Sequence, residues 1–250
     1  MFHPQKTVAA AAREARRSLK RLSRPAGNFD ASRYFRGDHG LGFYNTGTQL
    51  MRALAKSIHL AHRDRWAVSH AMAFADALIV DRYLEVKSVG IEVVARYRRE
   101  FSPDLLARWK RWLSGNHSAN WVTTDTICGM LVGPLLVQHP ELAVRMRAWA
   151  KDRNMWVRRA SIVGLLPLVR ARGEIDLVYE IAKRLHPDPN DLIHKAVGWA
   201  LREAGKIDSG RLERYLRGNV RVIPRTSFRY AIERFSPRKR RELLHISPLP

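Results

Sequence analysis

Residues 118–137 read SANWVTTDTICGMLVGPLLV, an apolar helical segment whose first turns carry a single carboxylate, Asp125. Trp121 lies four residues before it, a spacing that stacks two side chains on one helix face. An indole and a carboxylate then project into the same volume, which suits a cationic guest. The same stretch sets a period. Segments beginning at Glu85, Trp121, Val157 and Ile193 follow one another at 36 residues (121 − 85, 157 − 121 and 193 − 157) and superpose without gaps. Their third positions are Lys87, Thr123, Arg159 and Lys195, and their seventh positions are Ile91, Ile127, Val163 and Trp199. Such a period fits paired helices that bury their apolar faces only against neighbouring pairs. The expected fold is all-α, a superhelical solenoid of HEAT-like helical repeats.

The rest of the chain agrees with that expectation. Helical patterns run over 5–22, 48–62, 66–82, 85–100, 103–114, 119–137, 140–152, 155–171, 174–185, 190–205 and 208–217, and a final helix begins at Ser236-Pro237. Breaks fall at Arg24-Pro25-Ala26-Gly27, His139-Pro140, Arg172-Gly173 and His186-Pro187-Asp188-Pro189, where proline and glycine end helices. At Ser102-Pro103 serine caps a helix and proline fits its first turn. A loop rich in glycine and aromatics spans 34–44, and no alternating strand pattern interrupts the series. Two parts are expected: a basic N-terminal helix over 1–27, and one HEAT-like repeat domain over 28–250.

Forty-six per cent of the 250 residues are hydrophobic, enough for a real core, while the net charge of +22 attracts a polyanion, with nucleic acid first and an anionic membrane surface second. The single cysteine, Cys128, allows neither an internal disulfide nor a multi-cysteine zinc site. Residues 127–137 are too few to span a bilayer. Residues 5–24, Arg-rich with Glu14 as the one acid, resemble a transit peptide but read better as a DNA-contacting helix, because the charge excess continues along the chain. The expected location is the cytoplasm, at the nucleoid, with no membrane association and a monomeric state.

Asp125 stands where the other segments have Val89, Ser161 and Val197. A carboxylate in an apolar setting is costly unless it is paired or faces a polar ligand, so the plainer reading is an Asp bonded to nearby backbone or to an arginine. Trp66, Trp109, Trp112 and Trp149 read as packing residues. Trp121 and Trp199 break the repeat pattern, and both flank the acid that also breaks it. His59 and His62 read as a surface pair, and Arg158, facing away from Arg159, as the partner of an acid.

The segments Asn120-Trp121-Val122-Thr123-Thr124-Asp125, Met155-Trp156-Val157-Arg158-Arg159-Ala160-Ser161-Ile162 and His194-Lys195-Ala196-Val197-Gly198-Trp199-Ala200-Leu201-Arg202-Glu203 resemble the motifs of the AlkD-like DNA alkylation repair glycosylases, a HEAT-like repeat family. The resemblance covers roughly 30–235, with three motifs in order and at family-like spacing. It implies that Asp125 is the catalytic aspartate, that Trp121 and Trp199 are the two site tryptophans, and that Arg159 binds the DNA backbone. Lys195 and Lys87, at the matching repeat position, would extend Arg159 into a phosphate-binding row. The chain departs from the family at Asn45-Thr46-Gly47-Thr48-Gln49, where relatives commonly carry a proline, and before residue 25.

The implied reaction is hydrolysis of the glycosidic bond of N3- and N7-alkylated purines in duplex DNA. An alkylated purine is already cationic and leaves readily, so what remains is to stabilise oxocarbenium character on the sugar and to orient water, both within reach of a fixed carboxylate. Indole faces attract the cationic base. The resemblance further implies that the base stays outside any deep pocket, unlike in base-flipping glycosylases. No His-Glu-x-x-His, phosphate-cradling glycine loop or Gly-x-Ser-x-Gly elbow is present, and neither cofactor nor metal is expected. The competing readings are a non-catalytic HEAT-like DNA-binding scaffold and, more distantly, an adaptor for an acidic protein.

Overall fold

The structure, a computed structural model, describes residues 4–27, 35 and 40–247. The expected loop at 34–44 lies partly outside them, at Tyr34 and Arg36 to His39. Among the described residues the structure is all-α, with one isolated β-bridge between Gly42 and Tyr83. Two compact units divide the chain, Met1–Leu131 and Val132–Pro250.

The first unit contains α1 (Pro4–Arg21), α2 (Thr48–His62), α3 (Val68–Ile79), α4 (Leu84–Ala95), α5 (Leu105–Ser114) and α6 (Trp121–Ile127). Helix α4 is its centre, buried from Glu85 to Val94 and packed by α2, α3 and α6. Gly90 lets α3 approach closely: a Cβ there would lie 3.2 Å from the Ala75 Cα. The basic helix α1 buries Val8, Ala12, Ala15 and Leu19, an apolar stripe at helical spacing, and packs on α3. Arg16 fastens it through Asp81, 2.8 Å away. Arg13, Arg17, Lys20 and Arg21 remain exposed.

The second unit contains α7 (Gly133–Gln138), α8 (Met146–Trp149), α9 (Met155–Val163), α10 (Leu166–Arg172), α11 (Asp176–Leu185), α12 (Asp191–Ile207), α13 (Ser209–Gly218), α14 (Arg225–Ala231) and α15 (Pro237–Ile246). Here α12 is central and packs against α9, α11, α13 and α14. Arg158 holds Asp188 at 2.6 Å, the acid partner expected for it.

The repeat is visible in how helices begin. Asn120, Asn154 and Asn190 (154 − 120 = 34, 190 − 154 = 36) cap α6, α9 and α12, their side-chain oxygens accepting from Thr123 N, Trp156 N and Leu192 N at 2.8, 2.8 and 2.9 Å. Each cap satisfies an amide that the helix itself leaves unbonded.

Several expectations change, beginning with the helix expected to open at Ser102-Pro103, which starts instead at Leu105 after Asp104 with no side-chain cap. The continuous helix over 119–137 is α6, a π turn at Cys128–Val132, and α7. Pro134 cannot donate to the carbonyl four residues back, and the widened turn absorbs the mismatch. Pro167 likewise stands just after the interruption between α9 and α10. Gly133 accommodates its ring, since a Cβ there would meet Pro167 Cγ at 2.1 Å. Helix α14 was not expected at all. His59 and His62 are half-buried instead of fully exposed: His62 stacks on Trp66 (4.3 Å, 9°), His59 meets the Tyr97 ring edge-on (5.0 Å, 82°), and burial lowers both pKa values.

His186 in the second unit is buried, with Nε2 2.8 Å from the Tyr215 hydroxyl, and burial pushes its pKa from 6.5 down to about 4. The unfolded chain therefore binds more protons across that window, and stability rises with pH between about 4 and 6.5. Urea midpoints at pH 4.5 and 7 should differ less for His186→Asn than for wild type. An equal difference would mean that His186 carries no part of the acid sensitivity. No helix among the described residues is long and apolar enough to cross a membrane.

Candidate active site

Trp121 and Asp125 are one turn apart on α6, in a helix positioned by a dense cap. Asn120 Oδ1 accepts from Thr123 N, while its amide donates to Ser118 O (2.7 Å) and Thr123 Oγ1 (3.0 Å), and all three residues are buried. Ala119 enters this turn with φ 52°, a left-handed conformation that costs a residue bearing a Cβ roughly 1–2 kcal/mol. The start of α6 is therefore fixed by several contacts at once, and the ring and carboxylate inherit that fixity.

Both residues line an open cleft of about 800 Å³ in the first unit. Its opposite wall is α4, which contributes Glu85, Ser88 and Glu92, a polar line at i, i+3 and i+7 along a largely apolar helix. Met51 and Arg52 enter from α2, and Arg24 to Ala26 from the segment after α1. Phe35 stacks on Trp121 with ring centroids 6.0 Å apart and planes 18° apart, and Phe43 lies 5.3 Å beyond Phe35.

The two glutamates are buried and held in place. Both oxygens of Glu85 accept from Tyr44 N, at 3.1 and 3.0 Å, and Glu92 accepts from Arg52 Nε at 3.1 Å. Tyr44 stacks on Tyr83 at 4.0 Å, which pins the loop that supplies the Glu85 contact. In a chain of net charge +22 this cleft gathers three carboxylates against two guanidinium groups. Its fixed charge and aromatic wall favour a cation. Among the described residues no three His, Cys, Asp or Glu side chains converge as metal ligands.

The other expected site residues lie elsewhere. Lys87, on α4, is buried and donates from Nζ to Ile79 O (2.8 Å) and His117 O (2.7 Å). Its ammonium ties α3 to the turn after α5 instead of facing solvent, so the row expected at the third repeat position does not extend to it as an open cation. In the second unit Arg159, on α9, is also buried, and one of its terminal nitrogens donates to Leu192 O at the start of α12. Lys195 is half-exposed and pairs with Asp191 at 2.7 Å. Trp199 is half-buried on α12. Sequence reasoning missed Glu85, Glu92, Arg24 and Phe35. The polar spacing 85, 88, 92 within Leu84–Ala95 was the available signal for the first two.

An all-α repeat protein with an acid-lined aromatic cleft is the class that these features define. The family model described as DNA alkylation repair enzyme matches residues 15–235, and the chain belongs to that family. Among solved structures it is similar to a predicted DNA alkylation repair enzyme from Enterococcus faecalis, with 19% sequence identity and a TM-score of 0.71 over 83% of this chain and 93% of that one. None of the curated proteins compared with it matches.

Proposed function

We propose that the chain is a monofunctional DNA glycosylase that hydrolyses the bond between deoxyribose and an N3- or N7-alkylated purine in duplex DNA. The observation that carries this reading is the shared cleft of Trp121 and Asp125, acid-lined within a strongly basic chain. As the C1′–N bond breaks, its electron pair leaves with the base, which becomes neutral, and positive charge grows on the sugar. Asp125 stabilises that charge and orients the water whose oxygen bonds to C1′ as its proton passes to the carboxylate or solvent. The Trp121 face, braced by Phe35, attracts the cationic base with about 0.5–2 kcal/mol, and Trp199 is assigned the same role. The protein acts as a monomer at the nucleoid and needs no cofactor.

The test is release of free base from methylated duplex DNA by the wild-type protein with chelator present. Duplex binding without release would replace this reading with the non-catalytic scaffold.

Arg159 and Lys195 are assigned to the DNA backbone. Arg159→Ala should weaken binding to damaged and undamaged duplex alike and flatten the salt dependence by roughly one unit. Lys87→Met should leave that slope unchanged while lowering the melting temperature, because two carbonyls lose their donor. The reverse pattern would restore Lys87 to the phosphate row and make Arg159 purely structural.

A further inference from the structure

The second unit has a notch of about 370 Å³ between α12, α14 and α15, lined by Asp191, Lys195, Thr226, Arg229, Glu233 and Arg240 among others. Its acids are already engaged. Asp191 pairs with Lys195 (2.7 Å) and accepts from Thr226 Oγ1 (3.0 Å), and Arg202 holds Glu233. Those partners lower the Asp191 pKa against the opposing effect of burial, so the carboxylate stays ionised and committed. Arg229 and Arg240 are different: both are exposed, and neither guanidinium makes an ion pair or hydrogen bond among the described residues. Two uncommitted forks on neighbouring short helices, both lining one concavity, match the oxygen array of a phosphate.

The notch is also placed usefully along α12. Lys195 and Trp199 are four residues apart, so they share a face about 6 Å apart along the axis. A phosphate in the notch is therefore one to two helical turns from the indole assigned to the lesion.

We propose that Arg229 and Arg240 hold a backbone phosphate of duplex DNA in this notch, an anchoring contact that Arg240 supplies from outside the segment matched by the family model, residues 15–235. This deepens the glycosylase reading and rests on its assignment of DNA as partner. The contact carries no sequence information. It sets the register of the duplex on the second unit.

The experiment is binding of an undamaged duplex as a function of salt. Arg229→Gln with Arg240→Gln should flatten the log–log slope by roughly one unit, since the one phosphate they share contributes about 0.9. Lys183→Gln with Arg184→Gln removes the same charge from the exposed end of α11 and should change the slope far less. Equal changes from the two pairs, or none from the first, overturn the proposal. Arg240→Gln alone repeats the test, with a smaller flattening in the same direction, should the double variant melt early. Titration with inorganic phosphate separates the sources: phosphate binding lost in the double variant, with an unchanged DNA slope, would make the notch a free-anion site and likewise overturn it. Base release by the wild-type protein remains a separate readout, so the notch can fail while the glycosylase stands, and the reverse.

Discussion

Asp125→Asn is expected to bind duplex DNA as the wild-type protein does and to release alkylated purine at least a hundredfold more slowly. The substitution preserves shape and removes only charge. Charge matters little in the ground state, where the sugar is neutral, and matters most once oxocarbenium character develops, so the loss falls on rate and not on affinity. A preorganised electrostatic contact of this kind contributes about 3–4 kcal/mol, which sets the hundredfold figure. Glu85 and Glu92 face the same cleft, but the Tyr44 amide holds the first and Arg52 the second, so Glu92→Gln should slow release much less. Single-turnover release from methylated duplex, with binding measured on the same substrate, checks both variants. Wild-type release by Asp125→Asn, or a larger loss in Glu92→Gln, would remove Asp125 from the centre of the mechanism.

The helices and the face shared by Trp121 and Asp125 were legible because both depend on local spacing. Apolar residues at the helical period give α2, α3 and α12 almost to their ends, and a four-residue interval puts an indole above a carboxylate whatever the tertiary fold. What was not legible depends on partners distant in sequence. Lys87 and Arg159 look like surface cations by residue type, yet each is buried and donates to backbone carbonyls elsewhere in its unit: Ile79 and His117 for the first, Leu192 for the second. Helix α14 has only the seven residues Arg225–Ala231, about two turns, too short for a period to register. The capping asparagines were in plain view at 120, 154 and 190. Their 34- and 36-residue intervals mark the start of each repeat more directly than the apolar positions do.

Gly198→Ala should destabilise the protein, although alanine is the better helix former. In an open helix the exchange gains about 1 kcal/mol. At position 198, however, a Cβ would stand 2.5 Å from Tyr230 Cβ, 2.6 Å from Ser227 O and 3.0 Å from Ser227 Cα, all on α14. Two of those atoms are backbone and cannot rotate away. Nor can α14 retreat freely, because Ser227 Oγ donates to His194 O at 2.8 Å and Phe228 is fully buried. Overpacking of this kind costs about 1–3 kcal/mol, and contact with backbone places it at the upper end, so the clash outweighs the propensity gain. At roughly 2–4 °C per kcal/mol for a chain of this size, the melting temperature should fall by several degrees. Gly218→Ala is the control: it lies at the end of α13 with nothing within 4 Å of an added Cβ, and it should melt at or slightly above wild type. If Gly198→Ala melted no lower than Gly218→Ala, the close approach of α14 to α12 beside Trp199 would not hold in solution. The notch built on those two helices would lose its frame with it.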